Sequence, residues 1–270
     1  MRVRFEAEPG CRCTIELGSE ITGALSATDN SMIKAYDQFV SRYFDGKPPF
    51  GIDLWLTKRI PMGAGLGGGS SNAATLLRVL YSAMGSEIAN NQKCQLSDVL
   101  QEITDFSVKI GADVPYLLHG GFAHVTGIGE KVYSIASQLS WNAGIILAFP
   151  KIHCDTKEMF AELDRVATGT TSGSDPLLEK YLRDPQLLQN NLPTLIQNDF
   201  EGVLVLRYPV IAETLSALRG LNLGVAGVTG SGSTVFLLPS KVGALEDQRL
   251  KECAATLEQR GVTILATRFV

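Results

Sequence analysis

The chain has 270 residues, 45% of them hydrophobic and 19% charged, which excludes a disordered or fibrous chain and gives ample material for a buried core. A net charge of −4 with no long basic run argues against a nucleic-acid partner, and no apolar run reaches the ~18 residues of a membrane span. The five cysteines, Cys11, Cys13, Cys94, Cys154 and Cys253, are odd in number and scattered, so reduced thiols in a cytoplasmic setting are expected rather than disulfides.

Strand-like alternation opens the chain over 2–7 and 12–16, around Pro9-Gly10. The opening residues lack the apolar core of a signal peptide, since Glu6 and Glu8 follow Phe5. Asp29 or Asn30 is placed to cap a helix carrying Ile33, Tyr36, Phe39, Val40 and Tyr43, which ends at Asp45-Gly46-Lys47-Pro48-Pro49. A strand is expected over 52–57, where Ile52, Leu54 and Leu56 alternate with Asp53, Trp55 and Thr57.

The stretch that follows organises the rest: Pro61-Met62-Gly63-Ala64-Gly65-Leu66-Gly67-Gly68-Gly69-Ser70-Ser71-Asn72-Ala73-Ala74. Five glycines in the seven positions from Gly63 to Gly69 do not suit a helix or strand interior, because glycine loses too much backbone freedom there. A helix is expected over 72–84, with Ala73, Leu76, Leu77, Leu80 and Met84 on one face and Ser70 or Ser71 as N-cap. Strand, glycine loop and helix N-terminus together make an anion site, most often one for phosphate. A Walker loop is excluded because Gly69 stands where its lysine would be. A dinucleotide fingerprint is literally present as Gly63, Gly65 and Gly68, but glycine continues to 69 and the acidic residue about 20 positions on would be Glu87, in a polar stretch. A bare turn needs one or two glycines, not five.

Further on, Ser97 is expected to cap a helix bearing Val99, Leu100, Ile103, Phe106 and Ile110, closed by Gly111. Strands are expected over 122–125 and 131–135 around Gly127-Ile128-Gly129, and a buried strand over 145–149. A loop rich in Thr, Ser and Gly lies between 168 and 176. Helices are expected around 186–197, 199–207 and 210–218, then a strand over 235–238, a helix over 245–260 and a last strand over 262–269. Helices and strands mix throughout, so the class is α+β or α/β.

Two more stretches carry chemistry. Gly111-Ala112-Asp113-Val114-Pro115 is a rigid corner that fixes one carboxylate; Asp113 there is either a functional group or a helix cap. Gly227-Val228-Thr229-Gly230-Ser231-Gly232-Ser233-Thr234 before an apolar strand is either a second anion nest or a plain turn between a helix and a strand. His119, His124 and His153 have no metal-ligand spacing and read as surface or packing residues.

Taken together, Pro61-x-Gly63-x-Gly65-Leu66-Gly67-x-x-Ser70-Ser71-x-Ala73, the Gly111–Pro115 corner and the Gly227–Phe236 stretch resemble the three motifs of the GHMP small-molecule kinases, in family order over most of the chain. The extended loop is similar to one branch, whose substrate is a cytidine diphosphate compound. The resemblance implies a two-domain α+β fold, with the ATP-binding domain over 1–143 and the C-terminal domain over 144–270. It implies ATP held by residues 61–72, with Ser70 or Ser71 near Mg2+, and Asp113 as the base that takes the proton of the attacking hydroxyl. Asn30 would contact adenine and Lys58 would lie near the nucleotide. Gly230, Ser231 and Gly232 would face phosphates and substrate, and Thr156 and Phe160 would line the cytidine site. For these last two, a helix cap and a core aromatic are the plain alternative. Gly127-Ile128-Gly129-Glu130 matches a family turn with a structural role. Other members of the family, for homoserine or mevalonate-type substrates, and a catalytically dead nucleotide-binding protein remain as alternatives. The family's opening Pro-Ala-Lys strand and its Asp-Gly-aromatic-His turn have no counterpart here, so a natural chain extended upstream of Met1 is expected.

Overall fold

In the computed structural model the described residues are 1–17, 30–48, 50–61, 63–135, 144–166, 184, 187, 191 and 195–268. The 168–176 loop and most of the helix expected around 186–197 lie outside them. The chain divides into two compact units: Met1–Pro61 with Gly67–Ile135, and Met62–Leu66 with Ala136–Val270. The glycine stretch is thus shared, its first half counted with the second unit.

The first unit is built on a three-stranded sheet of β1 (Arg2–Glu6), β2 (Gly10–Leu17) and β3 (Gly51–Lys58). β3 is central, antiparallel to β1 and parallel to β2. Its alternation sends Ile52, Leu54 and Leu56 into a core with Phe39, Leu76, Leu77 and Leu80. On the opposite face Asp53 accepts from Arg4 (2.9 Å) and Arg12 (2.6 Å), which cover it. The hydrogen bond from Arg12, then that from Arg4, hold its carboxyl below the usual range despite the opposing effect of burial.

Among the described residues four helices belong to this unit: α1 (Ser31–Phe44), α2 (Gly68–Gln92), α3 (Leu96–Ser107) and α4 (Val114–His119). They are followed by a hairpin of β4 (Ala123–Thr126) and β5 (Lys131–Ser134). Asn30 is the cap of α1, its Oδ1 accepting from the Met32 N–H at 2.9 Å. Two expectations are corrected. α3 starts two residues earlier than the Ser97 cap required, because Gln95 and Asp98 form a reciprocal capping box. α2 starts at Gly68, inside the glycine run, and continues to Gln92. Ser70 and Ser71 are therefore helical residues, and the N-cap is Gly67, left-handed at φ +60°.

The second unit is an antiparallel sheet in the order β7-β8-β6-β9, from β6 (Ile145–Phe149), β7 (Gly224–Val228), β8 (Val235–Pro239) and β9 (Thr263–Thr267). With it go α5 (Thr156–Val166), α6 (Phe200–Arg207), α7 (Pro209–Gly220) and α8 (Gln248–Gln259). The core joins Ile146, Leu204, Ile211, Leu215, Val235 and Leu237. β7 corrects the reading of 227–236 as a turn between helix and strand: residues 229–234 join two paired strands. Gly224 and Gly227 lower the strand propensity but suit the site, since a Cβ on Gly224 would overlap the Leu238 carbonyl and one on Gly227 would press on the Phe236 ring.

Thr234 is fully buried, and its hydroxyl has no partner among the described residues. Thr234→Val keeps the shape and removes that desolvated group, so it is expected to raise unfolding free energy by about 1 kcal/mol in urea titration. A destabilised variant would show that the hydroxyl is paired.

Candidate nucleotide and catalytic site

In the first unit the site is the start of α2. Gly67 makes no side-chain capping hydrogen bond, and the first helical bond is from the Ser71 N–H to the Gly67 carbonyl at 2.8 Å. The N–H groups of Gly68, Gly69 and Ser70 precede that bond and have no intrahelical acceptor. Lys58, at the end of β3, is buried, with Nζ 3.8 Å from where a Gly68 Cβ would stand. Burial draws its pKa down. No carboxylate pairs with Lys58 among the described residues. A desolvated ammonium beside a helix N-terminus concentrates positive potential there, and an anion would relieve it.

Asn30 and Ser31 lie on the same side of this unit. The Asn30 amide is engaged at both ends, accepting from Met32 N–H and donating to Cys13 Sγ at 3.4 Å. The Ser31 hydroxyl donates to the Gly69 carbonyl at 2.7 Å and steadies the loop exit, a contact no motif announced. Asp29 and Met62 lie outside the described residues.

The aspartate corner reaches the same place. Asp113 stands at the N-cap position of α4 but makes no side-chain capping hydrogen bond, so its carboxylate is free for other use. Its Oδ2 is 3.6 Å from the position of a Gly67 Cβ. The Ser70 hydroxyl is 3.2 Å from the position of a Gly111 Cβ. A carboxylate, a hydroxyl and free N–H groups are thus gathered at one helix end. Among the described residues no group of three or more acidic, His or Cys side chains is placed to hold a metal ion.

In the second unit the first half of the glycine stretch lies along the 229–234 loop. The Ser233 N–H donates to the Gly63 carbonyl and the Thr234 N–H to the Ala64 carbonyl, both at 3.2 Å. Gly65 approaches so closely that a Cβ would overlap the Thr229 carbonyl. Gly230 and Gly232 are left-handed, at φ +48° and +85°. Thr156 and Ser231 share a hydrogen bond of 2.8 Å. The helix-cap alternative for Thr156 fails, because Asp155 Oδ1 accepts from the Glu158 N–H in that role. The core alternative for Phe160 fails as well: it is 53% exposed, standing edge-on to Phe200 at 4.9 Å.

Two residues here belong to none of the motifs read from the sequence. Asn198 Nδ2 donates to the Val228 carbonyl (2.6 Å) and the Gly230 carbonyl (2.8 Å), pinning the loop entrance. His153 covers Gly63, where a Cβ would overlap its ring. Asn198 before a helix carries a capping signal, and its Oδ1 does accept from Phe200 N–H; nothing in the sequence marks His153. His119 and His124 pack against Thr104 and Tyr133.

Comparisons with known proteins give the family of the chain. Residues 30–121 match the GHMP kinases N terminal domain family and residues 176–255 the GHMP kinases C terminal family. A 4-diphosphocytidyl-2-C-methyl-D-erythritol kinase of Shewanella halifaxensis is 32% identical over 223 residues, 82% of this chain and 67% of that protein. One of Francisella philomiragia is 34% identical over 232 residues, covering 86% and 72%. Among solved structures, a 4-(cytidine 5'-diphospho)-2C-methyl-D-erythritol kinase superposes with a TM-score of 0.64 at 22% identity, covering 98% of this chain and 84% of that one. A homoserine kinase of Cytophaga hutchinsonii gives 0.66 at 15% identity, with the same coverage. These two support the fold alone, since both substrate types share it. Two domain matches in order, and relatives above 30% identity along four-fifths of the sequence, place the chain in the GHMP kinase family.

Proposed function

We propose that the protein transfers the γ-phosphoryl group of ATP to the 2-hydroxyl of 4-diphosphocytidyl-2-C-methyl-D-erythritol, a step of isoprenoid biosynthesis. The observation that carries the reading is the free Asp113 carboxylate beside the uncapped N-terminus of α2. Relatives with this activity name the substrate. The N-terminal domain, over 1–143, holds the nucleotide, and the C-terminal domain, over 144–270, contributes to the substrate site.

In this reading the N–H groups at Gly68–Ser70 and the Lys58 ammonium hold phosphate oxygens, and Pro61–Asn72 forms the cradle. Asp113 accepts the proton as the hydroxyl oxygen attacks the γ-phosphorus. The bond from that phosphorus to the β,γ-bridging oxygen breaks, and ADP leaves. Positioning and charge neutralisation do most of the work in such transfers. Mg2+, when bound with ATP, would neutralise phosphate charge, and Ser70 would be its protein neighbour. Thr156 with Ser231, and the exposed ring of Phe160, offer a hydroxyl pair and a stacking face for the cytidine end, flanked by Gly230 and Gly232. No helix among the described residues is long and apolar enough to cross a membrane, and all five cysteines are free thiols, which supports a cytoplasmic setting.

The test is turnover. With the complete protein, ATP and Mg2+, phosphorylated product is expected from the cytidine compound and not from homoserine or mevalonate, read by mass spectrometry. Product from homoserine would reassign the substrate, and no product from any of the three would favour a nucleotide-binding homologue without transferase activity.

A further inference from the structure

The turn between β4 and β5 is shaped against the aspartate corner. Gly129, at φ +112°, passes so close to the corner that a Cβ would overlap the Ala112 carbonyl oxygen and come within 3.0 Å of the Ala112 Cα. Gly127, at φ +71°, leaves room for the Glu130 side chain folded back over it. The Glu130 carboxylate accepts from the Ile128 N–H at 2.7 Å. Its own N–H and that of Ile128, in that order, hold its pKa below the ordinary range. This locks the turn from inside. On another side of the corner, Ser70 of α2 stands 3.2 Å from where a Gly111 Cβ would be.

The turn does little for the core. Ile128 at its tip is 74% exposed, and Glu130 lies at the surface edge of the hairpin. Its close approach is to the peptide preceding Asp113. A loop that buries no apolar side chain at its tip, yet cannot accept a single methyl group on the side of one carbonyl, is specified by that carbonyl.

We propose that Gly129 and Glu130 are positioning residues for Asp113: the turn sets the place of the Ala112 peptide, and through it the carboxylate at the start of α2. The catalytic consequence rests on the kinase reading; the mechanical one does not. A base displaced by about 1 Å can cost on the order of a hundredfold in rate, so a brace one peptide away has a measurable effect without touching substrate.

Three variants of the present chain test this: Glu130→Ala, which removes both acceptors; Glu130→Gln, whose amide oxygen still accepts from Ile128 N–H; and Gly129→Ala, the direct intrusion. In Glu130→Ala, amide hydrogen exchange over Val114–Leu118 is expected to rise about tenfold while α3 and the second unit stay unchanged, with Glu130→Gln near the parent. In turnover, Glu130→Ala should lower kcat about tenfold with KM for ATP within about twofold, and Glu130→Gln should restore it. Unchanged exchange at 114–118, or a rise spread across the first unit, would overturn the proposal; so would kcat and KM for ATP worsening together. If the complete protein phosphorylates nothing, the kinase reading falls while the exchange result still decides whether the brace exists. Glu130→Ala keeps the question open to test should Gly129→Ala not fold.

Discussion

In a complete, active form of the protein, Asp113→Asn is expected to lower turnover at least ~100-fold, the usual scale for removing a general base, while ATP affinity by calorimetry stays close to that of the parent. The reason is local. The carboxylate makes no capping hydrogen bond to α4, so no helix is lost with it. The corner is held by backbone, with Val114 N–H donating to the Gly111 carbonyl and Leu117 N–H to the Asp113 carbonyl, both at 3.0 Å, and an amide leaves those intact. Asn matches the size of Asp but is not basic. Its effect should therefore fall on kcat, with the unfolding midpoint nearly unchanged. Turnover near the parent value would return Asp113 to a structural role at the head of α4.

Gly67→Val is expected to abolish nucleotide binding while the chain still folds. Gly67 has φ +60° and ψ +22°, a conformation that a β-branched residue adopts only under strain. The strain, not a clash, is the fault: the nearest groups to a new Cβ are Asp113 Oδ2 at 3.6 Å and Leu117 Cδ1 at 3.7 Å, ordinary contact distances. Relief requires the Gly67 peptide to turn, which redirects the N–H groups at the start of α2. The helix itself survives, since Ala73, Leu76, Leu77 and Leu80 anchor it in the core further along its length. A folded variant that still binds ATP normally would remove this loop from the nucleotide site.

What could be read in the sequence was what repeats locally. The alternation in β3 and the apolar stripe of α2 are signals carried by neighbours; β3 lies within one residue of its expected span, while α2 covers the expected 72–84 and runs beyond it at both ends. α4 escaped because six residues with Pro115 near the start are too short for a period to show. β7 escaped because Gly224 and Gly227, chosen for close approach, look like turn residues. The start of α2 at Gly68 escaped for a related reason: glycine is a poor helix former, and tertiary packing overrode that preference. In the site, the loop, Asp113 and the 229–234 stretch were legible as motifs. Their mutual contacts were not, since Gly67 with Asp113, or Gly129 with Ala112, meet only through the fold.

The division of the glycine stretch has a consequence for how the molecule is made. Ala64 accepts from the Thr229 hydroxyl across 165 residues of sequence, and the Gly63 and Ala64 carbonyls also accept from the Ser233 and Thr234 N–H groups. The second unit is therefore discontinuous in sequence. Its earliest segment emerges from the ribosome long before the strands that receive it, and closing so distant a contact is a late event in folding. A fragment beginning at residue 144 would carry most of that unit's residues yet lack the backbone that 233–234 hydrogen-bond to. Nascent chains stopped short of β8 would hold Gly63–Leu66 without those partners. The hydrogen bonds of Gly63 and Ala64 to residues 229–234 thus require that translation has passed residue 234.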